Sequence, residues 1–127
     1  MTGDIEGSLR APAAGWRQWR MNTAFATTEP SRAEVDALAG ATVLEFGTSW
    51  CGHCLRAQPL IGAALAGQQQ VRHVKVEDGS GRPLGRSYQV KLWPTLVFLK
   101  DGREAARLVR PGRTEEIAQA LAQITGA

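Results

Sequence analysis

At 127 residues the chain is long enough for one domain with one hydrophobic core. Its apolar content of 43 % is ordinary for a globular protein, and a net charge of +3, with acids and bases interspersed, argues against nucleic-acid binding. No apolar run approaches the ~20 residues that a membrane-spanning helix needs.

Residues 1–15 are rich in Gly, Ala and Pro and lack periodic patterning, which predicts a flexible N-terminal tail ahead of a single domain over residues 16–127. The opening Met1-Thr2-Gly3-Asp4-Ile5-Glu6 is acidic and has no apolar stretch behind it, so no secretory signal is expected and the chain should be cytoplasmic. Trp16, Trp19 and Met21 predict a first strand that uses its tryptophans as core; an exposed docking arm is the alternative. Ser31-Arg32-Ala33-Glu34 is a capping box and opens a short helix, with Val35 and Leu38 on one face and Gly40 as its stop. Residues 42–46 are β-branched and apolar, as in a central strand.

From Cys51 to Ala66 the pattern is helical, with Pro59 expected to kink it and Gly67 to end it. Val71, Val74 and Val76 mark another strand, and residues 83–89 a short helix. Residues 95–99 carry the strongest β signal. Asp101-Gly102 predicts a hairpin turn into a partner strand near residues 105–109. Residues 113–125 form a last amphipathic helix through Ile117, Leu121 and Ile124. The order β-α-β-α-β-α-β-β-α predicts an α/β domain with a mixed sheet and helices on both faces.

The chemistry concentrates in Trp50-Cys51-Gly52-His53-Cys54, which holds both cysteines of the chain. Two cysteines at this spacing, where a strand hands over to a helix, point to dithiol–disulfide exchange. At a helix N-terminus the Cys51 sulfur faces unpaired backbone N–H groups, which favour the nucleophilic thiolate. An imidazolium at His53 would add to that effect and make the disulfide more oxidising. Glu45 is a carboxylate in an otherwise apolar strand; burial alone should raise its pKa.

Other chemistries fit less well. Zinc would have to draw on Cys51, Cys54, His53 and His73, and His53 is poorly placed to share an ion with both flanking sulfurs, so no metal is expected. Leu55 stands where haem attachment needs His. The glycines form no phosphate-binding fingerprint, and no cofactor is expected.

The pattern resembles the thioredoxin family over residues 17–126. The resemblance rests on the joint spacing of Trp-Cys-x-x-Cys at 50–54, Pro59 eight residues past the first cysteine, Trp93-Pro94-Thr95 before an apolar strand and Lys100-Asp101-Gly102 after it. Cys-Gly-His-Cys itself is similar to the active site of protein disulfide isomerases. The resemblance implies the thioredoxin fold, a central mixed sheet flanked by helices on both faces. It makes Cys51 the attacking sulfur and Cys54 the resolving one. It makes Glu45 the buried acid that moves protons for Cys54, where the family usually has Asp, and Lys75 the lysine beside that acid. Pro94 matches the cis-proline whose preceding backbone pairs with an extended client peptide, so Trp50, Gly52, Trp93, Pro94 and Arg110 would form the client-facing surface. Arg110 stands where the family tends to carry glycine, unless a local rearrangement shifts that role to Gly112.

The implied activity is a thiol–disulfide oxidoreductase that reduces protein disulfides in cell redox homeostasis and electron transport. The implied partners are protein disulfide substrates and an external reductase or dithiol donor, for a monomer that binds neither nucleic acid nor membrane. A disulfide oxidant or isomerase, favoured by His53, is the first alternative. A peptide-binding module that uses the Trp50/Trp93/Pro94 groove is the second.

Overall fold

The computed structural model describes Phe25 and residues 28–126. The tail over 1–15 and the strand expected around Trp16, Trp19 and Met21 lie outside these described residues. Eight elements follow in order: α1 (Arg32–Asp36), β1 (Ala41–Gly47), α2 (Gly52–Leu65), β2 (Val71–Glu77), α3 (Pro83–Ser87), β3 (Thr95–Lys100), β4 (Arg103–Val109) and α4 (Thr114–Thr125).

The sheet runs β2-β1-β3-β4, with β1 parallel to β2 and antiparallel to β3, and β3 antiparallel to β4. The mixed sheet expected from the pattern is therefore present. All seven residues of β1 are buried, because β1 has strands on both sides and helices on both faces. On one face Leu44, Phe46, Val74, Val76, Val97 and Leu99 pack with Val35 and Leu38 from the α1 segment and with Leu84 and Tyr88 at α3. On the other, Val43, Leu96 and Phe98 pack with Ala57 and Ile61 of α2 and Ile117, Leu121 and Ile124 of α4. Each fully buried Leu, Ile or Phe contributes roughly 1.5–3 kcal/mol through loss of water contact.

Local signals explain the boundaries. Ser31 Oγ accepts the Glu34 N–H at 3.0 Å while Glu34 Oε1 accepts the Ser31 N–H at 2.9 Å, so both arms of the capping box close. Asp101 (φ +51°) and Gly102 (φ +81°) make the two-residue turn between β3 and β4, with two left-handed residues as a twisted hairpin requires. A Cβ at residue 102 would collide with the Asp36 carbonyl, which adds a second reason for glycine. Pro59 lies inside α2, which runs on past it to Leu65. Among the described residues, no helix is long and apolar enough to cross a membrane.

Candidate active site

The site grows from the C-terminal end of β1, where the chain turns into α2. Cys51 is the N-cap of that helix, with an extended backbone, and its Sγ accepts the Cys54 N–H at 3.2 Å. A sulfur in this place satisfies one of the orphan donors of the first turn and lies at the positive end of the helix dipole. Both cysteines are free thiols and both are buried, Cys51 at 8 % exposure and Cys54 at 1 %. Gly52 and His53 are exposed in the first turn.

Cys54 lies one turn deeper, over β1. A Cβ built on Gly47 would stand 2.5 Å from Cys54 Sγ, so the bare glycine is what admits the sulfur. Burial pushes the Cys54 thiol up to about 12; its hydrogen bond with Cys51 and, to a lesser degree, the charge of Glu45 act in the same direction.

Glu45 is two residues before Gly47 on the same face of β1, and it is fully buried. Its Oε2 accepts Gln58 Nε2 at 2.8 Å, and its Oε1 meets His73 Nε2 at 2.8 Å. The same Gln58 amide donates to the Cys54 carbonyl at 2.9 Å, and its Oε1 accepts from Lys75 Nζ at 2.7 Å. The parallel register sets Glu45 opposite Lys75, and Lys75 is itself buried. The raised carboxyl pKa expected from burial is therefore corrected. Burial does push Glu45 up, but the hydrogen bond and charge of His73, the charge of Lys75 and the Gln58 amide outweigh it, and the group is held below the ordinary value of 4.5.

Sequence reasoning missed the bridging Gln58 and weighed His73 only as a metal ligand. Gln58 is four residues after Cys54 on α2, and His73 two before Lys75 on β2; helical and strand periodicity could have placed both on the Glu45 side.

The rim is aromatic. The Trp93–Pro94 peptide is cis, as expected, and Pro94 is buried. Trp50, 72 % exposed, meets Trp93 edge to face with ring centroids 5.7 Å apart, which ties the proline loop to the cysteine loop. Trp93 is half-buried and its indole N–H donates to Asp78 Oδ2 at 2.8 Å. Arg110 is exposed and left-handed (φ +52°); its N–H donates to the Pro94 carbonyl at 2.9 Å and its Nε to the Trp93 carbonyl at 2.8 Å. The conformation that suits glycine is thus held by Arg110 itself, and Gly112 does not take it over.

The structure brings Cys51, Cys54, Glu45 and Lys75 into one connected cluster and places Trp50, Trp93, Pro94 and Arg110 beside it. Among the described residues, no group of three or more His, Cys, Asp or Glu is arranged to hold a metal ion.

Comparison with known proteins agrees with this geometry. The solved structure of thioredoxin 2 from Pseudomonas aeruginosa PAO1 in its reduced form is 55 % identical, with a TM-score of 0.75 over 84 % of this chain and 98 % of that one. A thioredoxin of Chlamydia trachomatis is 38 % identical over 76 residues, 58 % of this chain and 74 % of the relative. Thioredoxin Asp f 28 of Aspergillus fumigatus is 26 % identical over 87 residues, 68 % of this chain and 81 % of the relative. The thioredoxin family profile matches residues 22–123, and the chain belongs to the thioredoxin family.

Proposed function

We propose that this thiol–disulfide oxidoreductase reduces disulfide bonds in client proteins, with Cys51 as the attacking sulfur and Cys54 as the resolving one. The observation that carries the reading is Cys51 at the N-cap of α2, its sulfur accepting the Cys54 N–H while Cys54 sits one turn deeper against β1.

In the first step the Cys51 thiolate attacks one sulfur of a client disulfide. The client S–S bond breaks, its second sulfur leaves as a thiolate, and a mixed disulfide joins Cys51 to the client. In the second step Cys54 gives up its proton and attacks Cys51 Sγ. The Cys51–client bond breaks and the client leaves reduced; its two electrons have come from the two thiols, which are now oxidised to the Cys51–Cys54 disulfide. Glu45 is the buried carboxylate on the Cys54 side, and Lys75 holds it through Gln58. An external reductase or dithiol donor then restores the dithiol, as the sequence carries no nicotinamide or flavin fingerprint.

Trp50, Gly52, Trp93, Pro94 and Arg110 form the surface that meets the client. His53 is exposed in the first turn of α2, beside this surface. The working unit in this reading is a cytoplasmic monomer, one domain over residues 16–127 behind a tail over 1–15.

A glutathione redox titration of the Cys51–Cys54 pair tests the direction. A midpoint below about −240 mV supports reduction; one near about −120 mV, the range of strong oxidants, overturns it. The Cys54→Ser variant should accumulate mixed disulfides through Cys51. Retained cellular function in the Cys51→Ser/Cys54→Ser double variant would overturn the enzymatic reading in favour of a binding module.

A further inference from the structure

The Trp93–Pro94 rim has a basic neighbour. An open cleft of about 420 Å³ lies between the loop that follows β2 and the segment from α3 to Trp93. Asp78, Ser80 and Arg82 line it from the loop; Arg86, Lys91 and Trp93 line it from the segment. The Trp93 indole N–H donates to Asp78 Oδ2 at 2.8 Å, which ties the two walls together.

Three cations share this cleft with one carboxylate. That carboxylate is already engaged. Asp78 Oδ2 takes the indole N–H, and Oδ1 packs against Gly85, where a Cβ would collide with it. Arg82 has Glu77 Oε1 at 3.7 Å. Arg86 and Lys91 are exposed, and neither has an ion pair among the described residues. A recess lined by one sign of charge focuses its field and draws in the opposite charge. A guanidinium beside an ammonium suits a carboxylate, because the planar fork of Arg pairs with both carboxylate oxygens.

The position of the cleft says which carboxylates reach it. Trp93 belongs both to this cleft and to the surface that meets the client. A client strand laid along the Trp93 backbone advances about 3.3 Å per residue, so residues a short way from its cysteine come to the cleft. We propose that the cleft is a subsite for acidic side chains of the client, so that disulfides flanked by Asp or Glu are the preferred substrates. This deepens the reductase reading and rests on it. Arg86 and Lys91 set specificity in this scheme and take no part in the exchange at the sulfurs.

The test uses the reduced full chain and three peptides that share one internal disulfide and carry a flanking run of Glu, Gln or Lys. Single-turnover reduction is followed by chromatography of acid-quenched samples. The readout is the ratio of rates between peptides, which a general loss of activity does not imitate. At low salt the Glu-flanked peptide should react about fivefold or more faster than the Gln-flanked one, with the Lys-flanked peptide slowest. At about 0.5 M salt the Glu/Gln ratio should fall below about twofold, because exposed charges are then screened. Arg86→Gln/Lys91→Gln should bring the ratio below about twofold even at low salt. Lys100→Gln/Arg103→Gln removes the same charge at the end of β3 and β4 remote from Pro94, and should keep the wild-type ratio. Failure of the wild-type chain to reduce the Gln-flanked peptide would sink the reductase reading itself. Equal rates for all three peptides would leave that reading standing and overturn the subsite. A Glu preference that Arg86→Gln/Lys91→Gln retains also overturns it. So does one that both double variants lose equally, since net charge alone would then steer the client.

Discussion

The guanidinium of Arg110 donates from Nε to the carbonyl oxygen of Trp93 at 2.8 Å, so the peptide group just before Pro94 already has a partner on its outer side. Arg110 holds this contact from a left-handed backbone, φ +52°, that disfavours any residue with a Cβ by about 1–2 kcal/mol. A client that pairs with the Trp93 backbone has to displace the guanidinium first. Replacing Arg110 with Gly removes the competitor and relieves the strain, while the lost hydrogen bond costs about 1 kcal/mol. The expected outcome is a KM for protein disulfides lowered roughly threefold or more, kcat nearly unchanged and stability within about 1 kcal/mol of wild type. Steady-state reduction of a protein disulfide and urea unfolding check the two halves. An unchanged or raised KM would show that the contact does not compete with the client.

Gly47 leaves room for the Cys54 sulfur and nothing more. In Gly47→Ala the new methyl would lie 2.5 Å from Cys54 Sγ and 3.1 Å from the Phe25 ring, and one of them must move. Overpacking of this kind costs about 1–3 kcal/mol. The urea midpoint should fall, and closure of the Cys51–Cys54 disulfide should slow because the sulfur is pushed off its seat. A variant with wild-type stability and closure rate would contradict this packing.

Acid should weaken the fold through Glu45. Its carboxyl is held below the ordinary value of 4.5 in the folded protein. The unfolded chain therefore binds the proton more tightly, so this contribution to stability is complete above the ordinary value and is lost as pH falls through the folded one. Glu45→Gln should flatten the acid limb of the profile, from the ordinary value of 4.5 downward, in urea unfolding. Glu45→Ala should cost about 3 kcal/mol or more at neutral pH, because it strips partners from Gln58 and His73 and an anion from the neighbourhood of Lys75. Parallel acid limbs in wild type and Glu45→Gln would refute this assignment.

The two thiols should differ sharply toward alkylation. Cys54 is sealed at 1 % exposure and its thiol is pushed up to about 12, whereas Cys51 retains 8 % exposure. Near neutral pH, iodoacetamide should modify Cys51 and leave Cys54 intact until the protein is unfolded. Peptide mass mapping reads the outcome, and equal labelling of both residues in the folded protein would be incompatible with the geometry.

Elements that rest on neighbours in the chain were legible from the sequence. The Ser31/Glu34 box starts α1, Asp101-Gly102 turns β3 into β4, and the Cys51–Cys54 spacing meets the start of α2. The cis peptide at Pro94 was legible only through the family resemblance. The lowering of the Glu45 pKa by Lys75 was legible through the family resemblance, but the larger share of His73, 28 residues away, and that of Gln58 from α2 were not. Only the β1–β2 register and the packing of α2 over it bring these groups to the carboxylate. Arg110 shows the same limit: the sequence displays an unusual residue, and only the fold shows its side chain turned back onto the Trp93 carbonyl.

The edge-to-face pair of Trp50 and Trp93 has an optical consequence. Indole emission is quenched by a nearby disulfide through electron transfer, and Trp50, largely in water and packed on Trp93, adjoins Cys51 in the chain. The protein therefore carries its own indicator: its emission intensity should rise when the Cys51–Cys54 bond is opened. Turnover can then be followed in real time with no label attached.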